Sequence, residues 1–167
     1  MALVLSGDGA VGPLSATEVG YLDGVTSTVQ TQINSKLTTP GAWTSYTPSW
    51  TNITVGNGTV TAKYMAVGKT VSFMINFTLG STSSIGSLAS VTLPVTAASG
   101  SYVFNGWAGD AGTQDYILAV RSSGSSANIY AVGAGSANAT VIFTSSTVPF
   151  TWGSNDYLLI SGTYEAA

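Results

Sequence analysis

Neither cysteine nor histidine occurs in the 167 residues. Without cysteine there is no disulfide framework, no thiol nucleophile and no thiolate metal site. Without histidine, the commonest general base near neutral pH and the commonest transition-metal ligand are missing together. Charge is scarce as well: Asp, Glu, Lys and Arg make up 7% of the chain, against about a quarter in an ordinary globular protein. The four basic residues, Lys36, Lys63, Lys69 and Arg121, stand singly and the net charge is −3. No basic stripe exists to neutralise phosphates, which argues against nucleic-acid binding. No run of about 18 apolar residues is present, so no helix is expected to cross a membrane. The opening MALVLSGDGAVG lacks a basic region, and its apolar run is too short for a signal peptide. A small secreted module often carries disulfides, so their absence points to folding in a reducing cytoplasm. Export, if any, is then expected by another route, such as inside an assembled particle.

What is present is 44% hydrophobic residues, enough for a core, with polarity supplied by Ser, Thr, Asn and 20 Gly in place of charge. Such a hydroxyl-rich surface suits extracellular or particle-borne β-proteins better than cytosolic enzymes. The segment TVSFMINFTL, residues 70–79, sets Val71, Phe73, Ile75, Phe77 and Leu79 on one face and Ser72, Met74, Asn76 and Thr78 on the other. Upstream, TVTAKYMAV (59–67) joins it through Gly68-Lys69, a two-residue hairpin signal. Trp50–Val55 precedes these across Gly56-Asn57-Gly58. Further strands are predicted at Ala89–Leu93, Tyr102–Trp107, Asp115–Arg121, Ala127–Val132, Thr140–Thr144 and Asp156–Tyr164. Short strands separated by turn residues, with no helix between them, predict an antiparallel β-sandwich or jelly roll over residues 50–167.

The front of the chain differs. Ser15 and Glu18 fit a capping box at the start of a helix over 15–38. Within it Val19, Leu22, Thr26, Val29, Ile33 and Lys36 recur at spacings of three and four, as in a heptad seam. Gly20, Gly24 and the β-branched residues lower its helicity, so alone in water it is marginal. It needs a partner: the β-domain of its own chain, or copies of itself. The polar outward positions, Thr17, Asp23, Thr31, Asn34 and Ser35, and the narrow seam favour a trimeric bundle. Residues 39–49 read as a linker, and 1–14 as an arm. In the arm Ala2, Leu3, Val4 and Leu5 are suited to strand addition on a neighbouring sheet or to insertion in a groove on a shell; a terminus without order is the alternative.

The phrase LSATEVGYLDGVTSTVQTQINSKL (14–37) resembles a segment that recurs in tailed-bacteriophage virion proteins, both tail fibres and minor structural proteins, where a β-rich module often follows it. The continuation, with its W-x-x-Y-x-P-x-W opening, GNGT turn and V-x-F-x-I-x-F strand, resembles that module, so the likeness covers Leu14 to Leu93. It implies a trimeric, non-enzymatic appendage on the virion surface. The anatomy of arm, neck and head suits a capsid decoration or cement protein whose partner is the major capsid protein. A tail fibre or tail-tip protein, mounted on a tail or baseplate protein and recognising host surface polysaccharide, is the alternative.

Candidates for chemistry are few. Glycoside hydrolysis needs two carboxylates at a set separation, and the only clustered pair is Asp110 and Asp115 in GDAGTQD. Acidic residues flanking Gly-Thr-Gln are the usual formers of a turn, and a calcium site would need more oxygens, closer together. No catalytic residue, metal or cofactor is therefore expected. Trp107, just before that turn, is the best candidate for stacking on a sugar, with Asp110 and Asp115 beside it. Most other aromatic residues are expected to fill the core or the contacts between heads.

The neck carries the first prediction. Replacing Val29 and Ile33 by Asp would bury like charges on a three-fold axis and is expected to split a trimer into monomers. Sedimentation velocity checks this; a wild-type monomer, or a doubly substituted chain that stays trimeric, refutes the seam.

Overall fold

The computed structural model describes Thr31, residues 42–133 and residues 139–167. The chain divides into two compact units, Met1–Thr39 and Pro40–Ala167. In the first, Thr31 is helical and exposed; the arm residues Ala2, Leu3, Val4 and Leu5 and the neck residues Val19, Leu22, Val29 and Ile33 lie outside the described residues.

Among its described residues the second unit has ten strands: β1 Thr44–Ser45, β2 Trp50–Thr54, β3 Thr59–Val67, β4 Thr70–Thr78, β5 Ser84–Thr92, β6 Val103–Asp110, β7 Gln114–Ser123, β8 Ser126–Gly133, β9 Thr140–Phe143 and β10 Tyr157–Glu165. Every pairing is antiparallel. The order across the sheet is β1-β3-β4-β10-β6-β7-β8-β5-β2, with β9 added beside β8. The mainly β fold matches the expectation, but the ladders join into one curled sheet where two packed sheets of a jelly roll are expected. Local patterning specifies which way each strand faces, whereas closure depends on pairings between residues far apart in sequence.

Alternation is cleanest in β4, whose Val71, Phe73, Ile75 and Phe77 are buried while Asn76 and Thr78 are exposed. The β3–β4 hairpin turns at Gly68-Lys69 as the spacing predicts, Val67 pairing with Thr70, with Gly68 at φ 58°. Inward residues align in rows across the strands. One runs Ala62–Ile75–Ile160–Gly106–Leu118–Ala131. The next joins Phe73 to Gly162 on β10 and Phe104 to Val120 and Ile129. Gly162 has no side chain because the Phe104 ring occupies that space, where it meets Phe73 edge-on at 5.0 Å and Tyr164 at 5.9 Å.

The curl brings the far flank back over the core. Trp50 on β2 packs against Phe77 on β4 with ring centroids 5.5 Å apart, although the two strands stand near opposite ends of the sheet order. A clasp between the β2–β3 and β4–β5 turns secures this closure: Asn57 N–H donates to Thr82 Oγ1 at 2.9 Å, and Thr82 N–H returns a bond to Asn57 Oδ1 at 2.9 Å. The Ser83 hydroxyl donates to the Val55 carbonyl beside them.

Three elements depart most from the strand spans predicted by pattern. β6 runs on past the predicted end at Trp107 to Asp110, so that Gly109 and Asp110 of the GDAGTQD loop belong to a strand. β1 lies in the segment read as a linker and pairs with β3. β5 begins at Ser84, five residues before the predicted Ala89, because its first half is irregular: the β2–β5 register shifts between Thr51 and Ile53, with Asn52 and Leu88 at φ 56° and 58°. A bulge of this kind breaks the period-two pattern that makes a strand legible.

Phe73→Ala removes the ring that meets both Phe104 and Tyr164 and is expected to destabilise the head by about 3–5 kcal/mol. Ser72→Ala loses only an exposed bond to the Thr163 hydroxyl and is expected to cost less than about 1 kcal/mol. Urea unfolding of both variants checks the contrast, and equal losses would mean that the facing of β4 is misassigned.

Candidate functional site

A strand that covers a core is usually polar on its other face. Several strands of this sheet are not. On β6, β7, β9 and β10 the outward residues include Val103, Trp107, Ile117, Val141, Phe143 and Leu159, all exposed. Val103 is 73% exposed, Ile117 59% and Phe143 54%, so this outer face carries a cluster of unused apolar surface, beside separate exposed residues such as Trp43 and Leu88.

Register places these residues. Leu159 pairs with Trp107, and Trp107 with Ile117, so the indole lies between two aliphatic side chains. In the neighbouring row Met74, Ser161, Asn105, Ala119, Tyr130 and Phe143 follow one another from β4 to β9. Tyr130 and Phe143 have ring centroids 5.3 Å apart, and the Arg121 guanidinium sits 5.7 Å from the Tyr130 ring centre. In the row on the other side, Tyr157, Gly109 and Asp115 are neighbours. A side chain at position 109 would run into the Tyr157 ring; with glycine there, the ring crosses β6 and its hydroxyl donates to the Asp115 carboxylate.

The three residues singled out by sequence therefore separate. Trp107 and Asp115 come onto one face, joined by Ile117 two positions from Asp115. Asp110 stands three residues beyond Trp107, which by strand alternation sets it on the opposite side. There it closes the β6–β7 turn, its carbonyl accepting from Thr113 N–H at 2.8 Å while Gly112 takes φ 82°. The two carboxylates thus belong to different faces, and one is engaged by a phenol. Asp156, which sequence treats as another acid near the C-terminus, is buried and structural. Its carboxylate accepts from the Ala111 N–H at 2.9 Å and from Gly153 N–H. Its carbonyl accepts from Leu79 N–H at 2.8 Å.

Pattern reading misses Met74, Asn76, Asn105, Ile117, Tyr157, Leu159 and Ser161 as members of one surface. One signal was available: YILAV in β7, YLLI in β10 and TVIF in β9 carry apolar residues in both phases of the alternation, which marks strands covered on both sides. Among the described residues, no three His, Cys, Asp or Glu side chains come together as a metal site, and no helix is long and apolar enough to cross a membrane. Comparison of the chain with protein-family models, with curated proteins and with solved structures gives no match.

The Tyr157 phenol is held above its ordinary pKa of 10.0, chiefly because its hydroxyl is bonded to Asp115. The Tyr46 phenol, whose buried oxygen has no partner, is pushed far higher by desolvation. A tyrosine whose folded-state pKa is raised contributes stability that is complete below pH 10 and is lost as pH rises through the folded value. Asp115→Asn is expected to return Tyr157 toward its ordinary titration while leaving Tyr46 unmoved. Ultraviolet titration of the phenolate band, with Tyr157→Phe as the assignment control, checks this.

Proposed function

We propose that this chain is a non-enzymatic structural protein of a tailed-phage virion surface. In this reading it is a homotrimeric capsid decoration or cement protein, made in the host cytoplasm and held to the major capsid protein through Ala2–Leu5. The observation that carries the reading is the apolar outer face at the β7–β9 side of the head, where Val103, Tyr130, Val141 and Phe143 gather with one charged residue, Arg121, already stacked on Tyr130. An apolar face with a single charge, itself set against an aromatic ring, supports packing against copies of itself, because little electrostatic repulsion opposes the contact. The resemblance of residues 14–93 to phage virion proteins and the heptad seam of Val19, Leu22, Val29 and Ile33 support the same assembly. Three arms on one trimer would multiply a weak individual grip by avidity.

A second reading, a tail-fibre or tail-tip protein that recognises host surface glycans, is favoured by the half-exposed Trp107 on the neighbouring part of that face.

The two are separated by deleting Met1–Gly12. For a decoration protein the truncated chain is expected to remain a folded trimer with a nearly unchanged Tm that no longer binds undecorated shells. Full-length trimer that ignores shells and saturates host cells, with the truncation binding cells equally well, would overturn the decoration reading. Bound protein is measured on shells and on cells in parallel.

A further inference from the structure

Over β4, β10, β6 and β7 the outer face dips into a groove of about 620 Å³, within the range of small-ligand sites. Its apolar part is the Trp107 indole, 47% exposed, with Leu159, Ile117 and Met74 around it. The indole is held between its two register neighbours, so its surface is presented in advance of any ligand. Its polar part is Asn76, Asn105 and Ser161. The side chains of these three make no hydrogen bond within the described residues, whereas other polar groups on the same face are paired: Ser72 with Thr163 at 2.9 Å, and Tyr157 with Asp115.

We propose that this groove binds a neutral sugar, its ring lying on the Trp107 indole and its hydroxyls meeting Asn76, Asn105 and Ser161. Each carboxamide offers two donors and an acceptor, and a serine hydroxyl offers both. That set complements a sugar hydroxyl, which donates and accepts at once. The C–H face of a pyranose ring matches an exposed indole, an apolar surface with a polar tip. No charged side chain lines the groove; Lys63, the register partner of Met74 on β3, stands outside it. This disfavours acidic sugars, which would find no cation to receive the carboxylate. The proposal holds whether the head is carried on a shell or on a tail tip. It leaves the Val103, Val141 and Phe143 side free for contact between copies.

The full-length protein is titrated with the methyl glycosides of glucose, galactose and mannose and with their neutral di- and trisaccharides, with glucuronate as the charged comparator. Binding is followed by tryptophan fluorescence assigned through Trp107→Phe, and by calorimetry. The expected result is saturable binding of at least one neutral sugar with Kd on the order of a millimolar, and at least tenfold weaker binding of glucuronate. Trp107→Ala is expected to abolish binding, and Asn105→Ala and Asn76→Ala each to weaken it several-fold with unchanged Tm. These exposed amides keep the test valid if Trp107→Ala folds poorly. No saturable binding by any neutral sugar overturns the proposal, as does binding that survives the Asn76 and Asn105 substitutions. So does a trimer that falls apart on Asn105→Ala or Trp107→Phe, because the groove would then be a contact between copies. Shell binding through the arm is read separately and is untouched by these outcomes.

Discussion

The head depends on the insertion of its last strand, β10, between β4 and β6. Nine residues of β10 pair with β4, and Tyr157–Ser161 pair with β6 on the other side. Without that strand the first hairpin, β3–β4, would have no hydrogen-bonded ladder toward β6 on that side, and the inner rows through Ile160 and Leu158 would be open. These pairings join positions as distant as Ile75 and Ile160, so their loop-closure cost must be recovered from burial. The inner face of β10 is shaped accordingly. Leu158, Ile160 and Tyr164 are buried, and Gly162 makes way for Phe104. The Tyr164 hydroxyl ties the strand to the β5–β6 connection, donating to the Val95 carbonyl at 2.7 Å and accepting from its N–H at 3.1 Å.

The same insertion creates the outer face. β10 brings Leu159 next to Trp107 and Tyr157 across Gly109, and it aligns Asn76 of β4 with the indole row. Core and surface are thus two sides of one register. A shift of β10 by a single residue would exchange its inward and outward sets, emptying the core of Leu158 and Ile160 and removing Leu159 from the groove. An apolar outer face is therefore built at no cost to the inner one, because strands with both phases apolar satisfy both.

Scarcity of charge shapes how the molecule is held. Turns and strand ends are fastened by neutral groups, as in the Asn57–Thr82 clasp and the Trp152 Nε1–H donating to the Ser145 carbonyl at 3.1 Å. Among the described residues, the carboxylates whose oxygens accept bonds, Asp115 and Asp156, receive them from a phenol and from backbone N–H groups. With little charge on its exposed apolar strands, the head carries little of the charge that usually guards strands against association.

Legibility follows the range of the interactions. The strands β3 and β4 and the turn between them are readable residue by residue, because alternation and a Gly-Lys turn act over a few positions and the side-chain period is two. Trp107 and Asp115 are readable as residue types able to meet a ligand. The opposite facing of Asp110 follows from the odd separation in β6 once that strand is known to run to its end, and a loop reading of GDAGTQD hides it. The bulge at Asn52 and Leu88 conceals the start of β5 because it interrupts the period. By itself, then, the amino-acid order determined a charge-poor, mainly β head and the direction in which its regular strands face, since both arise from local sterics and hydrophobic alternation. Only the tertiary structure decided that the strands form one curled sheet and that Trp107, Asn76, Asn105 and Ser161 share a groove. Those facts rest on which distant strands pair and in what register, a choice made by the packing of the whole core.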